Sequence, residues 1–274
     1  MTAPWLVLGA TGGVGGSLAR YLASRGQSLL LSARTSSRLE ATAQELSSLH
    51  PGSRIRLRPA DASKLSEVRA LASWVGEQTD SLAGVVHAGG RVGWHPELTD
   101  EGFDKTFQVN YLAPFLLDFL LEPLLRKGPS RVLLVAGAGF TLRGFPRPAS
   151  LLPRQPLKPL DGSVWSAIAK VHHALELGRR LKDSGGLAFA FHPGFLKTGM
   201  TREAPWPIRA AGSLGNFFLG DRSRTGEFLL DDPAAAQLSG GLVDGRHRSS
   251  FTVDPEKARE LWNASLQALA LDGS

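Results

Sequence analysis

Cysteine is absent from the 274-residue chain, which excludes disulfides, thiolate catalysis and cysteine-ligated zinc. The cytoplasm is compatible with that composition. No export signal is expected, because a strand-like run, WLVLGA, begins at Trp5. Long apolar runs are missing too. The most apolar stretch, YLAPFLLDFLLEPLL from Tyr111 to Leu125, is too short to span a bilayer and carries Asp118 and Glu122. It reads as a buried or subunit-interface helix. A net charge of +6 and an isoelectric point near 10.0 favour anionic partners. The basic residues are scattered, however, and no Lys/Arg run carries interleaved aromatics, so no nucleic-acid interface is expected. No metal site is expected either.

What is present is alternation. Apolar runs LVLGA, SLLLSAR, RIRLRPA, LAGVVHA, SRVLLVA and GLAFAFHP are separated by helix-length segments, the pattern of βαβ units in a parallel sheet. The chain length suits one large domain spanning 1–274, and no linker or repeat divides it. The fold class expected is α/β, a Rossmann-like doubly wound parallel sheet with helices on both faces in three α/β/α layers. In RIRLRPA, Arg54, Arg56 and Arg58 alternate with Ile55 and Leu57, which a strand buried on both faces could not tolerate. An edge position explains it, as for the third strand of a sheet in 3-2-1-4 order. Two irregular segments, about 138–160 and 195–225, belong beyond the C-terminal strand ends, where ligands bind in open α/β sheets.

LVLGATGGVGGSLARYL places Gly9, Gly13 and Gly15 between a strand and a helix. Glycine there lets a pyrophosphate approach the turn, and the helix N-terminus offers free N–H groups and a positive dipole end. The second strand ends in Ser32-Ala33-Arg34. A carboxylate at this point suits the ribose hydroxyls of NAD, whereas an arginine suits a 2′-phosphate, so NADP(H) is expected over NAD(H). Arg38, one helical turn on, either assists Arg34 or faces solvent, and the solvent-facing reading is preferred.

With these residues in place the chain resembles a short-chain dehydrogenase/reductase, in the branch of retinol-dehydrogenase-like and protochlorophyllide-reductase-like proteins. The family's TGxxxGxG stands as Leu8-GATGGVG, its acidic residue after the third strand as Asp61, and its NNAG as Val86-His87-Ala88-Gly89. ELTDEGFDKTFQVNYLAPFLL resembles the helix leading to a site asparagine, Asn110, and FHPGFLKTGM the segment beside the nicotinamide. DPEKARELWNASLQAL resembles the branch's closing helix. The resemblance covers nearly the whole chain. It implies cofactor contacts from Gly9, Thr11, Gly13, Val14, Gly15, Arg34, Asp61, Ala88, Gly89, Asn110, Lys170, Pro193, Gly194 and Thr198. It also implies a homodimer or homotetramer formed through the Tyr111–Leu125 helix and the helix carrying Lys170.

The same resemblance assigns four catalytic roles: a tyrosine acid, a lysine four residues later, a substrate-binding serine and an asparagine that organises a water relay. Lys170 and Asn110 match. The tyrosine position holds Ser166, in VWSAIAK, and the serine position holds Gly137. A serine hydroxyl is far less acidic than a phenol and several ångströms shorter, so it does not replace one. Loss of a general acid removes about 10²–10⁴ in rate. Tyr21 and Tyr111 are the only tyrosines, and Tyr111 points about 100° away from Asn110 on a helix. His87 is read as a structural hydrogen-bonding residue, His173 as an interface or solvated one with His172 pointing elsewhere, and Trp165 as pocket wall. A Ser166–Lys170 nucleophilic dyad is disfavoured, because the resemblance sets the lysine against a ribose. Two readings follow: a divergent NADP(H)-dependent oxidoreductase with weak or atypical carbonyl/alcohol activity on an unnamed small-molecule substrate, or a non-catalytic NADP(H)-binding sensor.

Overall fold

The computed structural model describes residues 3–137, 151–194, 196, 206 and 220–271. Short, almost wholly apolar segments form the strands β1 (Trp5–Leu8), β2 (Leu29–Ser32), β3 (Ile55–Leu57), β4 (Gly84–His87), β5 (Arg131–Val135), β6 (Leu187–His192) and β7 (Leu242–Asp244), followed by β8 (His247–Arg248). The sheet order is β3-β2-β1-β4-β5-β6-β7-β8, parallel except for the antiparallel β8. As the arginine alternation required, β3 is the edge, with exposed Arg56 bonded to Gln78 at 2.6 Å.

Period-two alternation divides each strand between two layers. On one face Leu6, Leu30, Val85 and Val132 pack on α3 (Leu65–Gln78), α5 (Ala113–Leu125) and α6 (Asp161–Leu181). On the other, Trp5, Val7, Leu29 and Leu31 pack on α1 (Gly13–Ser24), α2 (Ser36–Leu49) and α7 (Arg224–Asp231). The expected three-layer α/β/α architecture is therefore the one found. Among the described residues no helix is long and apolar enough to cross a membrane.

The apolar stretch from Tyr111 divides in two. A short α4 (Lys105–Phe107), capped by Asp104 accepting from the Phe107 N–H, leads into a π-helical turn over Gln108–Leu112, and regular α5 follows. Single π turns inside helices recur at functional sites, because the extra residue redirects a side chain. Here the turn contains Asn110.

α5 and α6 are covered by α8 (Pro255–Ala268) of the same chain. Trp262 lies edge-on to Phe115 with ring centroids 4.8 Å apart, Arg180 stacks over Trp262 at 4.8 Å, and Tyr111 Oη meets Ser265 Oγ at 2.9 Å. Part of the apolar surface of these two helices is thus covered within the chain, while Phe119, Leu120 and Leu124 of α5 stay partly exposed. Two side chains are corrected with them. His173 is not solvated or at an interface: it is 2% exposed, among Tyr111, Phe115 and Trp262. Trp165 is not pocket wall. It is 1% exposed, stacks on Phe107 at 5.9 Å and donates its indole N–H to the Leu151 carbonyl.

Candidate functional site

In a parallel sheet all strand C-termini open along one edge, and the topology sets the candidate residues out in a row across it. From the outer edge inward come Asp61 after β3, Arg34 after β2, Gly9 after β1, Ala88 and Gly89 after β4, Gly137 after β5, and Pro193 and Gly194 after β6. No local sequence window contains this order; the chain reversal at β1/β4 creates it.

The glycine turn is tight for a backbone reason. Gly9 has φ +74, and a side chain on it would strike the Gly89 backbone. A side chain on Gly15 would strike the Gly9 carbonyl. Only bare backbone lets the β1 turn lie this close to the end of β4. Gly13 opens α1, whose cap residue Gly12 contributes no side-chain cap and whose first turn, with Gly13 and buried Val14, holds no acid. The first amides therefore remain available to an anion. The cradle fits a dinucleotide's pyrophosphate by its shape and its donors.

Around it, Arg34 is exposed at the end of β2. Arg38 does more than face solvent: its Nη2 donates to the Thr11 carbonyl at 3.3 Å, setting a second guanidinium beside the glycine turn. Its place at i+4 from Arg34 was visible in the sequence; its reach back to residue 11 was not. Asp61 is half-buried and accepts from the Ser63 N–H at 2.9 Å and Oγ at 2.8 Å. Ala88 donates its N–H to Leu8 at 3.1 Å. Gly194 has φ +86, and the Pro193 carbonyl accepts from Ser223 Oγ at 3.0 Å while the Ser223 N–H donates to Ser17 Oγ of α1 at 3.1 Å. Those two serines join the β6 end to the cofactor helix, a link without any sequence signature. Thr198 lies outside the described residues.

At the centre, the structure brings Asn110 and Ser166 together. Asn110 Oδ1 accepts from the Arg91 N–H at 2.8 Å, and its Nδ2 donates to the Arg91 carbonyl at 2.9 Å and to Ser166 Oγ at 3.2 Å. Ser166 Oγ donates in turn to the Ser163 carbonyl at 3.1 Å, and Ser163 Oγ accepts from the Gly93 N–H at 3.1 Å. Ser166 is thus a staple between the loop after β4 and the first turns of α6. At 1% exposure its hydroxyl faces no ligand space. Sequence reading missed Arg91 and Ser163, because Arg91 acts through its backbone and any residue there supplies the same two groups.

Lys170, one turn after Ser166, donates Nζ to the Val135 carbonyl at 2.8 Å, two residues before Gly137. Burial pushes its pKa down to about 8. An ammonium at that midpoint exchanges its proton readily near neutrality, whereas the Tyr111 phenol is driven upward by burial and holds its proton. Tyr111, bonded to Ser265 in the core, is therefore not a replacement acid.

The short chain dehydrogenase family matches residues 5–140. The chain is 30% identical over 274 residues to a candidate daunorubicin C-13 ketoreductase, DnrU, of Streptomyces sp. (strain C5), covering 96% of this chain and 91% of that one. It is 26% identical to human retinol dehydrogenase 13 over 97% of this chain and 84% of that one. Among solved structures, an uncharacterised Mycobacterium paratuberculosis protein superposes with a TM-score of 0.74 at 24% identity, over 99% and 94% of the two chains. Actinorhodin polyketide ketoreductase, determined with NADPH, superposes with a TM-score of 0.67 at 24% identity, over 89% and 95% of the two chains. Sheet order, glycine cradle, the Asn110 and Lys170 positions and these likenesses agree, and the chain belongs to the short-chain dehydrogenase/reductase family, in its retinol dehydrogenase branch.

Proposed function

We propose that this protein binds NADP(H) in preference to NAD(H) and is an oxidoreductase of weak or atypical carbonyl/alcohol activity. The observation that carries the reading is the contrast between the two halves of the site. The cofactor half keeps the Gly9–Gly89 cradle, the bare α1 N-terminus and Lys170, whereas Ser166 at the acid position is turned into the protein and bonded at 3.1 and 3.2 Å to Ser163 and Asn110. The bound nicotinamide would supply or accept hydride. On the protein side, Lys170 would hold the ribose, Asn110 would hold the loop after β4, and Arg34 with Arg38 would take the 2′-phosphate, since a guanidinium forms paired, charge-assisted bonds to phosphate. Neither Ser166 nor Gly137 offers a hydroxyl to a substrate oxygen.

Relatives named for retinol and polyprenol suggest a bulky apolar alcohol or its carbonyl partner as the substrate class to test. NADPH consumption against a panel of apolar aldehydes, ketones and a reactive diketone is the test, with slow turnover expected. Ordinary family rates would show that an acid other than residue 166 serves the site. The second reading is a cofactor-binding sensor, favoured by the burial of Ser166 and Asn110. NADPH binding with no turnover on any of these substrates would select it.

A further inference from the structure

Between the sheet and the α5/α6 layer lies a cluster that no step above uses. Asp118 of α5 is 0% exposed, His87 at the end of β4 is 1% and His173 of α6 is 2%. His87 Nε2 meets Asp118 Oδ1 at 2.7 Å, and His173 Nε2 stands 3.3 Å from Asp118 Oδ2. The rest of the surroundings are aromatic, from Tyr111, Phe115 and Trp262. Asp118 Oδ2, His87 Nδ1 and both His173 nitrogens lack a hydrogen-bond partner among the described residues. A carboxylate fully removed from water is expensive unless something it holds repays it.

What it holds is specific. His87 directly precedes Ala88 and Gly89, the wall against which the Gly9 turn closes. His173 follows Lys170 by three residues, on the same helical face. The two protein segments that flank the cofactor's nicotinamide half therefore meet, one step behind the site, on a single carboxylate. We propose that Asp118 is a positioning residue of the cofactor site, bonded through His87 to the His87–Gly89 end of β4 and seated against His173 on the Lys170 turn of α6. This rests on the cofactor reading above.

The charge matters as well as the geometry. The electrostatic neighbours of His173 are Asp118, His87 and Lys170. α8 faces the cluster with Trp262 and Ser265, and the π turn with the Tyr111 phenol, none of them charged near neutrality. His172, next along α6, has its neighbours in Asp254 and Lys257 instead. Among these groups Asp118 is the carboxylate, and it acts on His173 against the effect of burial. Glu122, one turn further along α5, provides the contrast. It is equally shielded at 6% exposure, but its partners are Arg126 and Arg180, away from both cofactor segments.

Calorimetric titration with NADPH, together with NMR titration of the Lys170 side chain in the cofactor-free protein, tests the assignment. Asp118→Asn should weaken NADPH about 3- to 30-fold, the range found for residues coupled to a site without touching its ligand. It should also move the Lys170 midpoint down, since removing a nearby carboxylate makes an ammonium easier to deprotonate. Asp118→Glu, keeping the charge, should recover part of both. Glu122→Gln should lower the melting temperature without changing either reading. Equal affinity and an unmoved Lys170 midpoint in Asp118→Asn would overturn the proposal, as would an affinity loss in Glu122→Gln of the same size. If Asp118→Asn does not fold, His173→Asn cuts the same link and must weaken NADPH; wild-type affinity there overturns the proposal too. A wild type that binds neither NADPH nor NADH removes the cofactor reading itself. The Lys170 midpoint, read without cofactor, still reports whether Asp118 acts on it.

Discussion

Ser166 shows how much a single position decides and how little its neighbours reveal. The sequence places it four residues before Lys170, which fixes the helical geometry, and its short side chain excludes a phenol's role. Where the hydroxyl goes could not be read there, because both its partners lie on other turns or other elements. With Oγ bound to Ser163 and Asn110, Ser166→Ala should leave NADPH affinity within about twofold and remove two ordinary hydrogen bonds, about 1–3 kcal/mol of stability by urea denaturation. Restoring the phenol is a harder change, since position 166 is 1% exposed and overpacking there costs about 1–3 kcal/mol. If the double variant Ser166→Tyr with Gly137→Ser folds, NADPH-dependent reduction of a small diketone should rise above wild type, and each single change should do less. Two hydroxyls addressing one oxygen act as a unit, so additive gains would contradict the idea. An inert double variant that still binds NADPH would place the block in the pocket rather than in the missing acid.

At the same scale, His173 makes the stability of the fold sensitive to acid. Burial, partly offset by Asp118, drives its pKa from 6.5 down to about 4. The unfolded chain therefore takes up a proton near pH 6.5 that the folded protein refuses until about pH 4. Stability from this source is complete above the upper value and is lost progressively as pH falls through that window. At pH 5 the loss is on the order of 2 kcal/mol. Urea midpoints at pH 7 and pH 5 should differ accordingly, and His173→Asn should flatten that difference. A slope that survives the substitution would assign it to the protein's other titrating groups.

Among the elements, strands and the cofactor helix were legible because their signals are local: apolar runs between helix-length intervals, and glycines at a strand–helix turn. The edge placement of β3 was equally legible, since three arginines on one face admit no other position. Three features were not. The π turn at Gln108–Leu112 leaves no mark, because one extra residue per turn does not change the apolar pattern. The Asp118 cluster joins residues 31 positions apart in the His87 pair. The cover of α8 over part of α5 and α6 can be known only once all three are placed. That cover is testable: Trp262→Ala should destabilise by about 3–5 kcal/mol, as for a large buried aromatic. It should also loosen α8 first, seen as faster hydrogen exchange over 255–268 than over the sheet. A loss below about 1 kcal/mol would mean that α8 is not needed to close this face.

For the whole molecule, the cofactor is expected to act as part of the fold, since the cradle joins β1, β4 and α1, and the Ser17–Ser223–Pro193 chain ties in the end of β6. A ligand that binds only the folded state stabilises it by about 2.7 kcal/mol at a hundred times its Kd. In a domain of this size each kcal/mol moves the melting temperature by about 2–4 °C, so saturating NADPH should raise it by roughly 5–10 °C. NADH at the same concentration should raise it less, because only NADPH carries a phosphate for Arg34 and Arg38. Both guanidiniums lie exposed, and exposed charge pairs are screened by salt, so the gap between the two cofactors should narrow as ionic strength rises from about 0.05 to 0.5 M. Arg34→Ala with Arg38→Ala should close the gap at low salt while leaving the NADH shift in place, since the cradle itself is untouched. Equal shifts for the two cofactors in the wild type, or a gap indifferent to salt, would take the 2′-phosphate role away from these arginines. Loss of both shifts in the double variant would give Arg38, through its bond to the Thr11 carbonyl, a part in shaping the glycine turn itself.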